Sequence, residues 1–171
     1  MAIYNCERFL ENVLNGILNQ TYKEFELIVI DDGSTDKSLK ILKTHAKKDK
    51  RIKLLINRGN IGLTKSLNKG IRIAKGKFIV RHDGDDISRK DRIEKQVNFL
   101  LKNEEYAFCG CNGLEKKTNR KILKYFEYPD IKRNLIGENC FIHPSMVIRK
   151  SIFQKYGYYD ENYLYGQDYE L

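Results

Sequence analysis

Two hydrophobic patterns alternate along the first part of the chain. In one, apolar residues lie three and four positions apart, which is the spacing of one face of a helix. In the other, apolar and β-branched residues follow one another directly, which is typical of a buried strand. With Asn5 as a helix-capping residue type, the patterns predict a helix after residue 5 and then a strand over residues 25–30. The helical set comprises Phe9, Leu10, Val13, Leu14, Ile17 and Leu18.

The same alternation predicts further helices and strands. Strands are expected over residues 52–56, 77–81 and 106–111. Strands that alternate with helices of this length favour an α/β fold, in which a mostly parallel central sheet carries helices on both faces. The apolar sets of the helices are Leu39, Ile41, Leu42 and Ala46, then Leu63, Leu67, Ile71 and Ala74, then Ile93, Val97, Leu100 and Leu101.

The pattern is weaker in the last third of the chain. A basic hairpin is expected over residues 115–124, a short helix over 131–136 and a strand over 146–149. Tyr4 leads into the first helix as if a strand had just ended, and residues 167–171 stop as a helix begins. We therefore expect a piece of a longer protein.

Composition favours a folded domain. The chain has 171 residues, of which 41% are hydrophobic, and 32 Lys and Arg against 23 Asp and Glu give a net charge of +9. That apolar fraction can form a core, which argues against a disordered polycation. No apolar run reaches the roughly 20 residues that cross a bilayer. The sequence predicts one folded domain.

Cysteine usage and charge indicate a location. Without a secretory segment, the cysteines are typical of free thiols in a reducing compartment. The basic runs over residues 43–53 and 115–124 attract anionic lipid headgroups when they lie near a membrane. We expect a cytoplasmic protein, with peripheral contact at the inner face of the membrane as a second expectation. The cysteines are Cys6, Cys109, Cys111 and Cys140.

Five carboxylates form two tight groups that each follow a predicted strand. In parallel sheets, ligands bind beyond the carboxyl ends of the strands, so both groups lie at the ligand-binding edge. A divalent cation such as Mg²⁺ or Mn²⁺ would neutralise carboxylates that otherwise repel one another, and it could also bind phosphate oxygens. The alternative is that the second group forms a solvated turn. The groups are Asp31 with Asp32, and Asp83 with Asp85 and Asp86.

The first acidic group has a different chemical use. A carboxylate there can accept hydrogen bonds from a base N–H or a ribose hydroxyl, and Tyr4 can stack on the base. Neither a P-loop nor a Gly-x-Gly-x-x-Gly loop is present, which disfavours P-loop ATPases and dinucleotide dehydrogenases. A bound diphosphate would instead be held through the metal and through Lys65 or Arg58, beside the loop of residues 59–62.

An ordered set of motifs resembles the family 2 inverting glycosyltransferases of the GT-A fold. The resemblance implies a three-layer, Rossmann-like GT-A domain over residues 1–171. Residues 1–112 would form its nucleotide-sugar-binding half, and 113–171 part of the acceptor side. The motifs are Tyr4-Asn5, Gln20-Thr21-Tyr22, residues 25–36, 60–63, 67–70, 74–76, 83–86, 92–97, 143–145 and 157–161, and Gln167-Asp168.

The resemblance implies roles for individual acidic residues. Asp32 would contact the nucleotide base, with Asp31 nearby and Tyr4 stacked on the base. Asp83 and Asp85, with Asp86 as a further candidate, would support the diphosphate and its Mn²⁺ or Mg²⁺ ion.

The resemblance also implies a catalytic residue. Asp168 would be the general base on the acceptor hydroxyl. Gln167 departs from the Glu that is frequent before this aspartate in the family. If Asp168 is the base, that departure leaves the chemistry unchanged.

The leading hypothesis is an enzyme. It would transfer a sugar from a nucleotide-diphosphate donor, for which UDP is favoured by its frequency in the family, to a saccharide or lipid-linked acceptor with inversion, in cell-surface polysaccharide synthesis. One alternative is a non-catalytic nucleotide-sugar-binding module. A second is a basic nucleic-acid-binding α/β domain, since clustered Lys and Arg bind phosphates. The acidic strand ends would repel a phosphate backbone, so we expect no specific nucleic-acid partner.

Overall fold

The computed structural model describes residues 1–122, 128–134 and 139–163. Its first part confirms the predicted alternation of helices and strands. Most residues of the predicted apolar faces are buried or half-buried against a sheet, as an amphipathic helix requires, but Phe9, Leu63 and Leu101 are exposed. The elements are β1 (Ala2–Ile3), α1 (Glu7–Leu18), β2 (Leu27–Asp31), α2 (Ser38–Lys48), β3 (Ile52–Ile56), α3 (Leu63–Ile73), β4 (Phe78–Val80) and α4 (Arg92–Lys102).

The second part departs more from the sequence pattern. The basic hairpin is confirmed as β6 and β7, although it begins earlier than predicted. The helix expected over 131–136 is observed as α5, and residues 135–136 lie outside the described ranges. The hydrophobic pattern does not predict α6. The elements are β5 (Phe108–Cys109), β6 (Gly113–Glu115), β7 (Arg120–Ile122), α5 (Tyr128–Asn134), a 3-10 turn (His143–Ser145), β8 (Val147–Arg149) and α6 (Lys150–Tyr156).

The strands at the centre of the fold form two three-stranded sheets. In the first, of order β1-β2-β3, all strands are parallel. In the second, of order β4-β8-β5, β8 runs antiparallel to both neighbours. The α/β fold is therefore confirmed, but the single central sheet is divided within the described residues. The division follows from β1, which is only two residues long and pairs with β2 alone.

Helices cover both sheets. Leu10, Leu14 and Val29 belong to a core between α1, α2 and the first sheet. In the second sheet, Val147 packs with the apolar face of α4, and Ile148 packs with α3 and α6. Successive strand residues thus point into different layers, as the pleat requires. No helix in the described ranges is both long and apolar enough to cross a membrane.

The start of α1 is capped by the loop after β2. The prediction that Asn5 caps α1 is wrong, because Cys6 is the N-cap residue and has no side-chain cap. The Cys6 N–H instead donates to Ser38 Oγ at 2.8 Å, and the Glu7 N–H donates to Asp36 Oδ2 at 3.0 Å. These side chains satisfy amide groups that a helix cannot satisfy at its own first turn.

Asn5 caps the loop that follows β2. Its backbone is left-handed, with φ of 52°. Its Oδ1 accepts hydrogen bonds from the N–H groups of Thr35 at 2.8 Å and Asp36 at 3.4 Å. Glu7 of α1 caps the same loop, because its Oε2 accepts the Lys37 N–H at 2.7 Å. The two loops therefore cap each other, which fixes the chain around Tyr4.

We expect Asn5→Ala to be more destabilising than Asn5→Gly. Both variants lose the Oδ1 acceptor, which contributes about 1 kcal/mol. Alanine adds the strain of a left-handed backbone, about 1–2 kcal/mol, whereas glycine adopts that conformation freely. The free energy of unfolding in urea measures both variants. Equal losses would contradict the assigned backbone strain.

Candidate functional site

The carboxyl ends of β1, β2 and β4 form one edge of the fold. Ile3 pairs with Asp31, and the Ile3 carbonyl accepts the Asp32 N–H at 2.7 Å. Gly84, in the acidic loop after β4, packs so closely on β1 that an added Cβ would lie 2.6 Å from Ile3 Cδ1 and 3.0 Å from Cys6 Sγ. Both predicted acidic groups are therefore brought to this edge, on either side of β1.

Asp32 ties the end of β2 to the loop after β3. Its carboxylate is buried. Oδ1 accepts hydrogen bonds from Asn57 Nδ2 at 2.8 Å and from the Ile61 N–H at 3.0 Å. Oδ2 accepts one from the Gly62 N–H at 2.9 Å. Each carboxylate oxygen can accept two hydrogen bonds, so Oδ2 has room for one more donor.

Sequence reasoning missed three residues that extend this network. Asn57 Nδ2 also donates to Ser66 Oγ at 2.9 Å, and Lys69 Nζ donates to Asn57 Oδ1 at 2.8 Å. The ammonium of Lys69 thus lies one side chain away from the Asp32 carboxylate. A signal was present, because Asn57 directly follows β3 and Lys69 lies within the motif of residues 67–70.

The other predicted nucleotide-binding residues are placed differently. Asp31 is 1% exposed. Its Oδ2 accepts the Ser34 N–H at 3.3 Å, and its Oδ1 has no partner among the described residues. Tyr4 is 46% exposed, so a planar base can reach its ring. Lys65 is exposed on α3, and its charge acts on Glu161 rather than joining the Asp32 network.

The acidic loop after β4 contains one paired and two solvent-exposed carboxylates. Asp83 lies 2.6 Å from Arg81 Nη1, whose side chain is 4% exposed. Asp85 and Asp86 reach solvent. Partial desolvation and the neighbouring Asp83 and Asp85 charges raise the pKa of Asp86. A cation bound beside Asp85 and Asp86 would relieve that repulsion.

His82 shapes the acidic loop from inside the protein. Its Nδ1 lies 2.7 Å from the Asp83 carbonyl oxygen, and its Nε2 lies 3.0 Å from Ser88 Oγ. Since a carbonyl only accepts, Nδ1 carries the proton and Nε2 accepts the Ser88 hydroxyl. Burial and the Arg92 charge lower the pKa of His82 to about 4, so the ring is neutral at pH 7. A neutral ring can bridge both ends of the loop.

The donor chemistry of the loop fits a divalent ion. Within the described ranges, no three His, Cys, Asp or Glu side chains converge on a point where a metal could bind. Mg²⁺ does not require such a cage, because it is usually held by one or two carboxylates together with waters and substrate phosphates. Asp85 and Asp86 are hard oxygen donors that reach solvent, as this mode of binding requires.

Helix α3 holds the segment that follows α6. Asn68 Nδ2 donates to the Tyr159 carbonyl oxygen at 2.8 Å and to Glu161 Oε1 at 3.0 Å, while the Tyr159 N–H donates to Asn68 Oδ1 at 3.2 Å. The Arg72 guanidinium lies over the ring of Tyr158, 4.6 Å from its centroid. The predicted general base, Asp168, lies outside the described residues.

Comparison with known families decides the classification. The family model described as "Glycosyl transferase family 2" matches residues 1–157. The chain belongs to this family. The resemblance stated from the motifs is therefore confirmed.

Curated relatives of this family member are named as glycosyltransferases. The putative glycosyltransferase EpsE of Bacillus subtilis is 49% identical over 115 residues, which cover 67% of this chain and 41% of EpsE. The O-antigen biosynthesis glycosyltransferase WbnJ of Escherichia coli is 32% identical over 177 residues, which cover 100% of this chain and 68% of WbnJ. The chain spans 57% to 62% of the length of the first curated relatives that it matches.

Solved structures confirm the GT-A fold. TarS of S. aureus, residues 1–349 in complex with UDP, superposes with a TM-score of 0.74 at 22% identity, over 98% of this chain and 51% of TarS. The mannosyltransferase PcManGT of Pyrobaculum calidifontis, in complex with GDP-Man and Mn²⁺, gives 0.73 at 19% identity, over 94% of this chain and 46% of PcManGT.

Gly33 is the position where this family member needs a glycine. Its φ is +76°, and an added Cβ would lie 2.5 Å from the Gly59 carbonyl carbon and 2.8 Å from Asn60 N. Those atoms belong to the backbone of the loop that Asp32 holds, so they cannot rotate away from a Cβ as the end of a flexible side chain could. The two loops meet without a side chain between them.

Gly33→Ala is expected to lower the free energy of unfolding by about 3 kcal/mol or more. Left-handed strain costs about 1–2 kcal/mol, and displacement of the Gly59 backbone adds to it. Gly59→Ala is the matched control, because a Cβ there meets nothing within 4 Å. Urea unfolding compares the two variants. A loss no larger in Gly33→Ala than in Gly59→Ala would contradict the close packing of the loops.

Proposed function

We propose that this chain forms the donor-binding part of a glycosyltransferase that uses a nucleotide-diphosphate sugar. One observation carries the proposal. Buried Asp32 keeps a free acceptor position at the end of β2, the exposed ring of Tyr4 follows β1, and the exposed carboxylates of Asp85 and Asp86 follow β4 at the same edge of the fold. A base can be recognised by the first pair and a metal-bound diphosphate by the second. Family membership supports this assignment.

Tyr4 and Asp32 are proposed to recognise the base. The exposed Tyr4 ring offers a stacking surface, and Asp32 Oδ2 offers an acceptor for a base N–H or a ribose hydroxyl. Asp31 supports this site from the buried face, where it accepts the Ser34 N–H. Lys65 is proposed to contribute positive charge toward the diphosphate. Lys69 is an additional cation, because it is hydrogen-bonded into the Asp32 network through Asn57.

Asp83, Asp85 and Asp86 are proposed to support a Mn²⁺ or Mg²⁺ ion on the diphosphate. Asp85 and Asp86 face solvent and supply direct oxygen ligands. Asp83 is held by Arg81, so it contributes charge and shapes the loop. When bound, the divalent ion would stabilise the negative charge that grows on the leaving nucleoside diphosphate. The structure of PcManGT in complex with GDP-Man and Mn²⁺ supports a metal-dependent donor site.

Asp168 is proposed to act as the general base. A sugar hydroxyl is a poor nucleophile, and a carboxylate that takes its proton during attack contributes about 10²–10⁴ in rate. Attack on the anomeric carbon from the side opposite the leaving group gives inversion in one displacement. Asn68 and Arg72 hold residues 158–161 on α3, and this segment precedes Asp168 in the sequence.

The wider role follows from the same assignment. Residues 1–112 are proposed as the nucleotide-sugar-binding half and residues 113–171 as part of the acceptor side. The acceptor is a saccharide or lipid-linked acceptor in cell-surface polysaccharide synthesis, a role that the similarity to the O-antigen biosynthesis glycosyltransferase WbnJ supports. The donor is a UDP-sugar, which the complex of TarS with UDP supports. The proposed location is the cytoplasm, with peripheral contact at the inner face of the membrane.

UDP is expected to bind more tightly with Mn²⁺ than with EDTA. The carboxylates of the acidic loop repel a diphosphate unless a cation lies between them. Asp85→Asn should remove most of the gain, about tenfold in Kd or more, which is about 1.4 kcal/mol. Isothermal titration calorimetry measures each Kd. Glu104→Gln, an exposed acidic position after α4, is the matched control and should keep the gain. Equal affinity in both buffers would remove the metal from the proposal.

Asp168→Asn is expected to separate binding from turnover. The variant is made in a form of the protein that has transferase activity. There, kcat should fall by about 10²–10⁴ while the donor Kd stays within about twofold. Steady-state kinetics and calorimetry measure the two quantities. Glu170→Gln, two residues away, serves as the control. Near-normal turnover in Asp168→Asn would exclude it as the base, whichever sugar is transferred.

A further inference from the structure

The hairpin of β6 and β7 is a basic and exposed segment of the fold. Residues 116–121 include four cations, and every residue from 114 to 122 is exposed. None of these cations forms an ion pair with another described residue. Their charge is therefore not neutralised within the described part of the protein. The cations are Lys116, Lys117, Arg120 and Lys121.

The hairpin leaves the fold at the same edge as the acidic loop. Strand β8 is antiparallel to both β4 and β5, so β4 and β5 are parallel to each other and their carboxyl ends lie at one edge. The acidic loop follows β4, and the hairpin follows β5. The Cys111 N–H donates to Ser145 Oγ at 3.1 Å, which anchors the start of the hairpin on the 3-10 turn before β8. A surface that binds the hairpin would therefore adjoin the candidate site.

The two faces of the hairpin differ. Residues directly opposite each other in an antiparallel pair project from the same face. Gly113 pairs with Ile122, and a Cβ on Gly113 would lie 3.3 Å from Ile142 Cδ1, so this face is turned toward the body of the protein. Leu114 pairs with Lys121 on the other face. Because Leu114 is 58% exposed, the outer face presents an apolar side chain beside a cation.

The turn between the two strands is held by its own hydrogen bonds. Thr118 Oγ1 donates to Glu115 Oε2 at 2.5 Å and accepts the Arg120 N–H at 3.2 Å. Asn119 takes the left-handed backbone of the turn, with φ of 54°. Glu115 is the single acidic residue of the hairpin, and the bond from Thr118 engages it. The turn therefore presents its cations from a defined backbone.

This combination of groups fits an anionic membrane surface. Basic side chains are attracted to anionic headgroups, and an apolar side chain among them can enter the boundary between headgroups and acyl chains. Single-stranded nucleic acid is bound instead with the help of aromatic side chains that stack on the bases. Residues 113–122 contain no aromatic residue. The chemistry of the hairpin therefore favours lipid over nucleic acid.

The other basic run of the sequence lacks this combination. Its helical part belongs to α2, whose exposed side chains are Lys40, Lys43, Thr44, Lys47 and Lys48. The apolar residues of α2 are buried or half-buried. Helix α2 thus offers charge without an exposed apolar side chain, and attraction by charge alone is screened as salt rises.

We propose that the β6–β7 hairpin docks on an anionic lipid surface, with Leu114 entering the headgroup region and the cations of the hairpin contacting the lipid phosphates. Docking there would place the candidate site at the membrane, where a lipid-linked acceptor lies. Of the two acceptor classes proposed above, the hairpin favours the lipid-linked one. That choice of acceptor rests on the proposed function, whereas docking itself needs neither donor nor turnover.

The test is binding to lipid vesicles, measured by co-sedimentation. The protein should bind vesicles that contain about 30% phosphatidylglycerol at least tenfold more tightly than vesicles of phosphatidylcholine alone. One basic side chain near an anionic surface strengthens binding about fivefold. Combined Lys116→Gln, Lys117→Gln and Lys121→Gln should therefore weaken binding at least tenfold. Leu114→Gln should weaken it about threefold or more, with a smaller dependence of this loss on salt.

Matched variants elsewhere on the surface are the controls. Combined Lys40→Gln, Lys43→Gln and Lys47→Gln removes the same number of charges from α2. Ile73→Gln removes an apolar side chain that is 42% exposed on α3. Each control should weaken vesicle binding by less than about threefold.

Several results would overturn the proposal. Equal losses in the two triple variants would show that net charge, and not the hairpin, holds the protein on the vesicle. Equal losses in Leu114→Gln and Ile73→Gln would remove the apolar contact. Failure to bind anionic vesicles would overturn docking outright, and so would tighter binding to a single-stranded oligonucleotide than to those vesicles.

UDP binding separates this inference from the proposed donor site. The hairpin variants should keep the UDP affinity of the unchanged protein in calorimetry, because none of their residues is proposed to bind the donor. If UDP does not bind but vesicle binding depends on the hairpin, the proposed donor site fails and docking is supported. If UDP binds but the hairpin variants sediment with vesicles like the unchanged protein, docking alone is overturned.

Discussion

Ile3 is the residue at which the two sides of the proposed donor site meet. Its backbone pairs with Asp31 and accepts the Asp32 N–H, which fixes the end of β2. Its side chain is 1% exposed and lies against Gly84, which fixes the acidic loop after β4. A Cβ at Gly84 would lie 2.6 Å from Ile3 Cδ1, so the Ile3 side chain would have to shift to admit it. The spacing between the residues proposed to bind the base and those proposed to bind the diphosphate depends on this contact.

Side-chain hydrogen bonds hold the loops and helix starts at this edge to one another. Asn5 caps the loop after β2, Ser38 and Asp36 cap the start of α1, and Asp32 holds the loop after β3. Each bond satisfies a backbone N–H that would otherwise lack a partner. The result is a rigid edge that leaves Tyr4 and Asp85 exposed. Rigid loops with a few exposed polar side chains suit ligand binding, because little conformational entropy is lost on association.

The charged and titratable groups at this edge differ in how deeply they are buried. Buried Arg81 pairs with Asp83, and buried His82 stays neutral because burial and Arg92 lower its pKa. The carboxylates of Asp85 and Asp86 are left at the surface, where mutual repulsion favours an incoming cation. A chain with a net charge of +9 thus presents a local negative site at the edge where the proposed function requires one.

The sequence by itself determined the order of helices and strands as far as α4, the α/β class, the family and the position of the acidic groups at strand ends. These features are local, since periodicity and turn chemistry act over a few residues. Only the tertiary structure decided which atoms meet. Asp32 is hydrogen-bonded to Asn57, 25 positions away in the sequence, and Asn68 is hydrogen-bonded to Tyr159, 91 positions away. Packed helices and strands bring these residues together. The same reason explains why Asn5 caps a distant loop and not its own helix. It also explains why the predicted central sheet is divided. Strand pairing joins distant residues, as when Phe78 of β4 pairs with Arg149 of β8, and local periodicity does not report this.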